Sequence, residues 1–126
     1  MTDAKRIARE DVPLQPGKVV DDGGELRVLQ GAEHGLRLSV MESSIAPGSG
    51  PRRHRHPHAE VFVLVEGEGR FSIDDAMFDA RSGDILVVPP NAWHGFVNHA
   101  REPLRLVAIH DNARAVTEFE DGTRRD

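Results

Sequence analysis

Three histidines and a glutamate precede an apolar run within residues 54–65, which read HRHPHAEVFVLV. His54 and His56 lie two residues apart, and on a β-strand that spacing places both imidazoles on the same face. Glu60 stands directly before the apolar residues 61–65. A carboxylate at the head of a core strand is costly to bury unless it is paired or bound to a metal. The stretch therefore predicts a chelating group at the start of a buried strand.

A second stretch supplies a further candidate ligand. His94 follows the turn sequence PPN at residues 89–91 and precedes Gly-Phe-Val at residues 95–97. If the strands curl into a barrel, His94 can face the same interior as the first group.

Short strands separated by turn residues fill the middle of the chain. The predicted strands cover residues 25–30, 35–45, 61–65, 70–73, 76–80, 85–88, 95–98 and 104–110. Gly, Pro, Asn or paired Asp occupies almost every junction, as turns require. This spacing predicts an all-β sandwich or barrel over residues 17–112. Residues 1–16 are predicted to form an arm or edge strand, and residues 113–126 a tail whose polar end frays.

The composition excludes several functions. The chain has 126 residues, a formal net charge of −5, seven His and no Cys. The negative charge disfavours nucleic acid and anionic membranes as partners, and the lack of Cys excludes disulfides, thiolate zinc sites and Cys nucleophiles. No apolar stretch reaches the length of a membrane span, and residues 1–10 lack the apolar core of a signal peptide. The cytoplasm is therefore the expected compartment.

Two motifs in the chain resemble those of a small single-domain cupin. The first motif is met at every spacing by Gly48, His54, His56, Glu60 and Gly67. The second is met by Gly83, Pro89, Asn91, His94 and Asn98. Asn91 stands where the family usually has Gly, and Asn is the non-Gly residue that best tolerates a positive φ. Because both motifs are present at the family's spacing, the resemblance is specific.

The resemblance implies an all-β fold, an antiparallel double-stranded β-helix or jelly-roll barrel. It also implies that one divalent metal ion is bound inside the barrel by His54, His56, Glu60 and His94. Three imidazoles and one carboxylate suit Fe, Mn, Ni, Co, Cu or Zn, and the ligand set alone does not choose among them. Four protein ligands on an octahedral ion leave positions open for a substrate. A homodimer is a further expectation from the resemblance.

The expected function is that of a metal-dependent enzyme acting on a small organic molecule. Such an enzyme is either dioxygenase-like, and hence an oxidoreductase, or an isomerase or lyase that uses the metal as a Lewis acid. Glu60 is the candidate catalytic base, a role that the family suggests. Phe62 shares strand parity with Glu60, and Phe96 with His94, so these two aromatic residues are the candidate walls of the substrate pocket. The alternative is a non-catalytic module that binds or senses a small ligand through the metal.

Residues outside the ligand set give weaker expectations. His58 is expected at the rim of the site, because a register that includes it leaves no Glu at the required distance. His110 ends an apolar strand and is expected to be a structural histidine, with a role beside the metal as the alternative. Val61, Val63 and Val65 have the opposite parity to the candidate carboxylate ligand and are expected to pack against a second sheet or a partner.

Charge near the first motif gives two more expectations. Arg52, Arg53 and Arg55 either attract an anionic substrate or balance nearby acids. Because imidazole binds metal only when it is neutral, metal affinity is expected to weaken as the pH falls through about 6.

Overall fold

The computed structural model of the protein describes residues 4–14, 20–21 and 24–125. In this part of the chain most regular structure is β-strand, interrupted by the short 3-10 helices Arg9–Asp11 and Gly31–His34. None of these helices has the length and apolar character needed to cross a membrane. The strands are β1 (Val20–Asp21), β2 (Gly24–Leu29), β3 (Ser39–Ile45), β4 (Gly50–Pro51), β5 (His54–Arg55), β6 (Glu60–Glu66), β7 (Glu68–Ile73), β8 (Ala76–Arg81), β9 (Ile85–Val88), β10 (His94–Val97), β11 (Leu104–His110), β12 (Thr117–Phe119) and β13 (Arg124–Arg125).

Two large antiparallel sheets enclose a common interior. The five-stranded sheet has the order β2-β3-β11-β6-β9, and the six-stranded sheet has the order β13-β12-β5-β10-β7-β8. Neighbouring strands are often distant in the sequence, as in the pairing of β11 with β3. The strands β1 and β4 form a small separate pair. This is the jelly-roll barrel that the two motifs imply, so the predicted fold class is confirmed.

Burial alternates along the central strands and identifies their inner faces. On β6, Glu60 and Phe62 are buried, whereas Val61 and Val63 are half-buried on the outer face. The strand β11 alternates in the same way, and its buried residues are Leu104, Leu106, Ala108 and His110. The Phe62 ring of one sheet lies 5.7 Å from the Phe71 ring of the other, centre to centre. The second sheet packs on this inner face. The expectation that Val61, Val63 and Val65 pack against the second sheet is therefore wrong, because these valines face away from that sheet.

Two residues with positive φ lie at turns between elements. Gly35 has a φ of 70° and ends the 3-10 helix Gly31–His34. The strand predicted from residue 35 consequently begins only at Ser39. Asn91 has a φ of 64°, as the sequence predicts for the residue that replaces the family's Gly.

The C-terminal segment belongs to the barrel, which differs from the frayed tail expected from the sequence. Its strand β12 pairs with β5 on one side and with β13 on the other. Thr117 and Phe119 are buried on the inner face. Arginines of the first motif pair with acids of this segment, namely Arg52 with Asp121, Arg53 with Glu120 and Arg55 with Glu118. The basic run therefore balances nearby acids and fixes the segment beside the site.

The predicted N-terminal arm lies along the edge of the five-stranded sheet where the structure describes it. The N–H of Val28 donates to the carbonyl of Pro13 at 2.8 Å, and Leu14 forms an antiparallel bridge with Arg27. The other residues of the predicted arm, 1–3 and 15–16, lie outside the described residues.

Asn98, the last residue of the second motif, is fully buried. Its amide donates to the carbonyls of Ile45 and Glu102 at 3.0 and 2.8 Å. Its Oδ1 accepts the N–H of Ala100 at 3.0 Å. The change Asn98→Ala removes these partners, so we expect the free energy of unfolding, measured in urea, to fall by about 2–3 kcal/mol. The exposed neighbour His99 is the control: His99→Ala should cost less than about 0.5 kcal/mol, and an equal loss in both variants would contradict the role of Asn98.

Candidate metal centre

Four buried side chains meet inside the barrel. His54 lies on β5, His56 follows that strand directly, Glu60 begins β6 and His94 begins β10. His54 and His94 are cross-strand partners, and their ring centres lie 4.3 Å apart. Each of the four residues offers one ligand atom, and these atoms all lie within 4.8 Å of one another. The structure thus brings together all four residues that the sequence selects.

Backbone carbonyls orient the three imidazoles. The Nδ1 atoms of His54, His56 and His94 lie 2.6, 2.7 and 2.8 Å from the carbonyl oxygens of Arg52, Val116 and Ala92, respectively. A carbonyl oxygen only accepts hydrogen bonds, so each Nδ1 carries a proton, and in the neutral ring each Nε2 then carries the lone pair. Metal-ligating histidines are held in this way, with the second ring nitrogen donating to a carbonyl or carboxylate.

The Nε2 atoms of His56 and His94 converge on one oxygen of Glu60. Its Oε1 lies 3.1 Å from Nε2 of His56 and 3.0 Å from Nε2 of His94. When the rings are neutral with the proton on Nδ1, these contacts place nitrogen lone pairs against a carboxylate oxygen. The lone pairs and the oxygen repel each other unless a positive charge lies among them. The Nε2 atom of His56 is buried and has no hydrogen-bond partner among the described residues. A divalent cation would supply the charge and use these lone pairs, so the donor set fits a metal ion.

The ionisation states at the site also suit a metal. Burial, together with the nearby His94 and His56, lowers the pKa of His54 from 6.5 to about 3. Burial works to raise the pKa of Glu60, but the histidines around it, His110 first, outweigh burial and hold that pKa well below 4.5. At neutral pH the site therefore presents a neutral imidazole at His54 and an ionised carboxylate. At His54, protons therefore compete with a metal ion only well below the pH of about 6 that the sequence predicts.

A small, mostly apolar cavity opens beside the four residues. Its volume is about 40 Å³. Phe62 and Phe96 both line it, with ring centres 5.7 Å apart. Ser43 and Thr117 contribute hydroxyl groups, and no Arg or Lys is among the described residues that line it. The full lining comprises Leu26, Met41, Ser43, Pro51, His54, His56, Glu60, Phe62, Phe96, Leu106, Ala108, His110, Ala115 and Thr117.

Two further histidines lie beside the site, and for one of them the sequence expectation is wrong. His58, expected at the rim, is buried, with 8% of its surface exposed. Its Nε2 lies 3.0 Å from Nδ1 of His110. His110 is fully buried, and its Nε2 lies 3.1 Å from Oε2 of Glu60. His110 therefore contacts the candidate ligand Glu60 directly, which is the alternative that the sequence left open.

Strand pairing explains why His110 reaches the site. His110 and Glu60 are direct cross-strand partners between β11 and β6. His110 also has the parity of the buried residues Leu106 and Ala108 on its own strand. The parity is visible in the sequence, but the partner strand is not, so the contact could not be deduced from the sequence alone.

Comparison with known proteins decides the family. The family described as Cupin domain matches residues 41–110, which is more than half of the chain. This chain is a cupin. The matched segment begins within β3, ends with β11 and contains both motifs of the cupin.

Several known proteins are similar to this cupin. Dimethylsulfoniopropionate lyase DddW of Ruegeria pomeroyi is 35% identical over 95 residues, covering 72% of this chain and 62% of the lyase. A gentisate 1,2-dioxygenase of Ralstonia sp is 32% identical over 97 residues, covering 69% of this chain but only 27% of the dioxygenase. An uncharacterized protein of Methanocaldococcus jannaschii is 27% identical over 110 residues, covering 85% of this chain and 87% of that protein. The chain thus spans less than two thirds of both enzymes.

A solved structure shows the same fold. Bacillus subtilis oxalate decarboxylase superposes on the cupin with a TM-score of 0.74 and 19% sequence identity. The match covers 80% of this chain and 29% of the decarboxylase. At this identity the likeness establishes the fold alone.

Proposed function

We propose that this cupin binds one divalent metal ion through His54, His56, Glu60 and His94 and acts through it on a small organic molecule. The proposal rests on the three Nδ1 contacts with backbone carbonyls, which leave the Nε2 lone pairs beside an ionised carboxylate. When bound, the metal supplies Lewis acidity or, if it is iron, the redox chemistry that O₂ requires. The donor set suits Fe, Mn, Ni, Co, Cu or Zn. Mn(II) centers occur in the oxalate decarboxylase that shares the fold.

The first candidate reaction is that of an oxidoreductase of the dioxygenase type, and the second is that of an isomerase or lyase. The dioxygenase and lyase among the relatives support these two classes. The chain covers only 27% and 62% of those proteins, so the substrate in their names serves as a probe rather than as an assignment.

The cavity limits the charge of the ligand. Phe62 and Phe96 form apolar walls, and no Arg or Lys is among the described residues that line the cavity. A second carboxylate on the ligand would be buried without a cation to pair with it, which is costly. We therefore propose a small ligand with at most one negative charge, whose remaining polar atoms contact Ser43 or Thr117.

Glu60 is the proposed catalytic base. Its low pKa keeps the carboxylate ionised at neutral pH, so on leaving the metal transiently Glu60 would accept a proton from a bound substrate. With metal occupancy held equal, Glu60→Gln should lower turnover by roughly 100–10,000-fold, because an amide cannot accept that proton. The assay follows gentisate under air, and dimethylsulfoniopropionate in parallel, with His99→Ala as an exposed control. Equal turnover by Glu60→Gln and the wild type would show that Glu60 acts as a ligand only.

A non-catalytic binding or sensing module is the second candidate function. It is favoured by the cavity wall, in which Glu60 is the only carboxylate among the described lining residues. A ligand that binds tightly and is recovered unchanged after long incubation with metal and O₂ would support this function. Turnover of either probe would exclude it.

The outer face of the five-stranded sheet is the proposed homodimer surface. Its apolar residues on β6, β9 and β11 adjoin in register: Val61, Val63, Ile85, Val87, Val107 and Ile109. Ile85 and Val87 are 65% and 64% exposed, and contiguous apolar patches of this kind mark protein interfaces. Sedimentation should give a dimer for the wild type and a monomer for Val87→Glu. Met77→Glu, at an exposed position of β8 in the other sheet, should stay dimeric. A monomeric wild type would contradict the proposal.

The cytoplasm is the proposed compartment, and a small molecule rather than nucleic acid is the proposed partner. The second proposal rests on the net charge of −5, which repels nucleic acid. Fractionation of cells that produce the protein tests the first proposal.

A further inference from the structure

The two carboxylate oxygens of Glu60 face different partners. Oε1 faces the Nε2 atoms of His56 and His94 within the candidate ligand group, at 3.1 and 3.0 Å. Oε2 faces Nε2 of His110, at 3.1 Å. This last contact is bent away from hydrogen-bond geometry, so it is electrostatic rather than a straight hydrogen bond. The two oxygens therefore have different neighbours: Oε1 faces the candidate metal ligands, and Oε2 faces a histidine outside the ligand group.

A second histidine fixes the ring of His110. Nδ1 of His110 lies 3.0 Å from Nε2 of His58, and both residues are buried. Because Oε2 of Glu60 is an acceptor, the favourable tautomer of neutral His110 carries its proton on Nε2. Its Nδ1 then accepts the N–H of His58 Nε2. The three residues form a chain in which His58 sets the tautomer of His110, and the positive end of the Nε2–H bond of His110 lies beside Oε2 of Glu60 as an electrostatic contact.

A second metal site is the competing explanation, since ligand atoms of His56, His58 and His110 also lie within 4.8 Å of one another. The rings of His56 and His58 are nearly parallel, at 13°, with centres 5.2 Å apart. The lone pair of an imidazole lies in the ring plane, so two stacked rings do not direct their lone pairs at one ion. In addition, Nδ1 of His56 is occupied by the carbonyl of Val116. The geometry therefore disfavours a three-histidine metal site.

We propose that His110 is a positioning residue for Glu60, an inference that rests on the proposed metal binding. By holding Oε2, His110 makes Glu60 present Oε1 alone to the metal. A carboxylate that binds through one oxygen leaves free the coordination position that its second oxygen would occupy. His110 also lines the cavity. His110 therefore lies beside the space that a substrate would occupy.

The experiment measures binding of Co(II) alone, by titration and by its visible absorption spectrum. His110→Leu introduces an apolar side chain of similar size that lacks the N–H, whereas His110→Gln supplies an amide donor in its place. We expect His110→Leu to weaken Co(II) binding by about 10–100-fold and to change the spectrum, because Glu60 is no longer held through Oε2. His110→Gln should recover most of the affinity and the wild-type spectrum. If His110 served only to fill space, the Leu variant would bind Co(II) better than the Gln variant, because Leu suits a buried site better than Gln.

A second pair of variants covers the case in which His110→Leu does not fold, which circular dichroism would show. His58→Leu removes the donor to His110 and should weaken Co(II) binding less than His110→Leu does, and His58→Gln should recover the loss. If the wild type binds Co(II), and the Leu variants that fold match it in affinity and spectrum, the positioning role is wrong while metal binding stands. If the wild type binds no Co(II), the proposed function has failed, and this inference fails with it.

Discussion

Changing His54 to alanine is expected to abolish stoichiometric metal binding by the purified protein. His54 contributes one of the four donor atoms that lie within 4.8 Å of one another, and its ring is held by the carbonyl of Arg52 at 2.6 Å. Removal of a residue that merely supports a ligand typically costs about 10–100-fold in metal affinity, so loss of a ligand itself should cost more than about 100-fold. His94→Ala should have the same effect, because His94 contributes another of the four donor atoms.

Elemental analysis of untagged protein, purified without chelators, measures the effect. His99→Ala is the matched control, since His99 is exposed and outside the donor group. Near-stoichiometric iron in the wild type would favour dioxygenase chemistry, and Mn, Ni or Zn would favour the isomerase, lyase and sensing functions. If the wild type and both ligand variants carry equally little metal after reconstitution, the metal-dependent function is wrong.

The four candidate ligands could be selected from the sequence because their spacing is local. His54, His56 and Glu60 lie within seven residues, and the turn before His94 is marked by Pro and by Asn91. However, the two-residue period of a strand does not by itself explain how both His54 and His56 face the site. The strand β5 ends at Arg55, and His56 reaches the site from the residue after it, held by the carbonyl of Val116.

The parts of the site that the sequence missed depend on contacts between distant strands. The pairing of β11 with β6 places His110 opposite Glu60, fifty positions earlier in the chain. The pairing of β12 with β5 brings Val116 and Thr117 to His56. A three-residue strand within a polar segment shows too little periodicity to be distinguished from a tail. Local patterns therefore indicated the ligands, but strand pairing determined what surrounds and orients them.

Lowering the pH is expected to destabilise the metal-free protein well before its carboxylates titrate. Burial lowers the pKa of His54 from 6.5 to about 3 and, with His110 and His56, that of His58 to about 4. Below about pH 6.5 the unfolded chain therefore takes up protons that the folded protein does not bind. The folded state loses stability as the pH falls from about 6.5 toward those lower values. The pKa of Glu60 is also lowered in the folded protein, so its contribution is lost in the same direction, below 4.5.

Urea denaturation of the metal-free protein at pH 7, 6 and 5 tests this expectation. His54 alone should contribute about 1.4 kcal/mol of lost stability per pH unit below 6. In His54→Gln, which cannot titrate, the slope should fall by that amount. A wild-type protein whose free energy of unfolding is unchanged between pH 7 and pH 5 would show that the buried imidazoles take up protons without unfolding. The ionised Glu60 beside them would then hold imidazolium ions, and the protonation states that favour metal ligation would be lost at the pH where those imidazoles titrate.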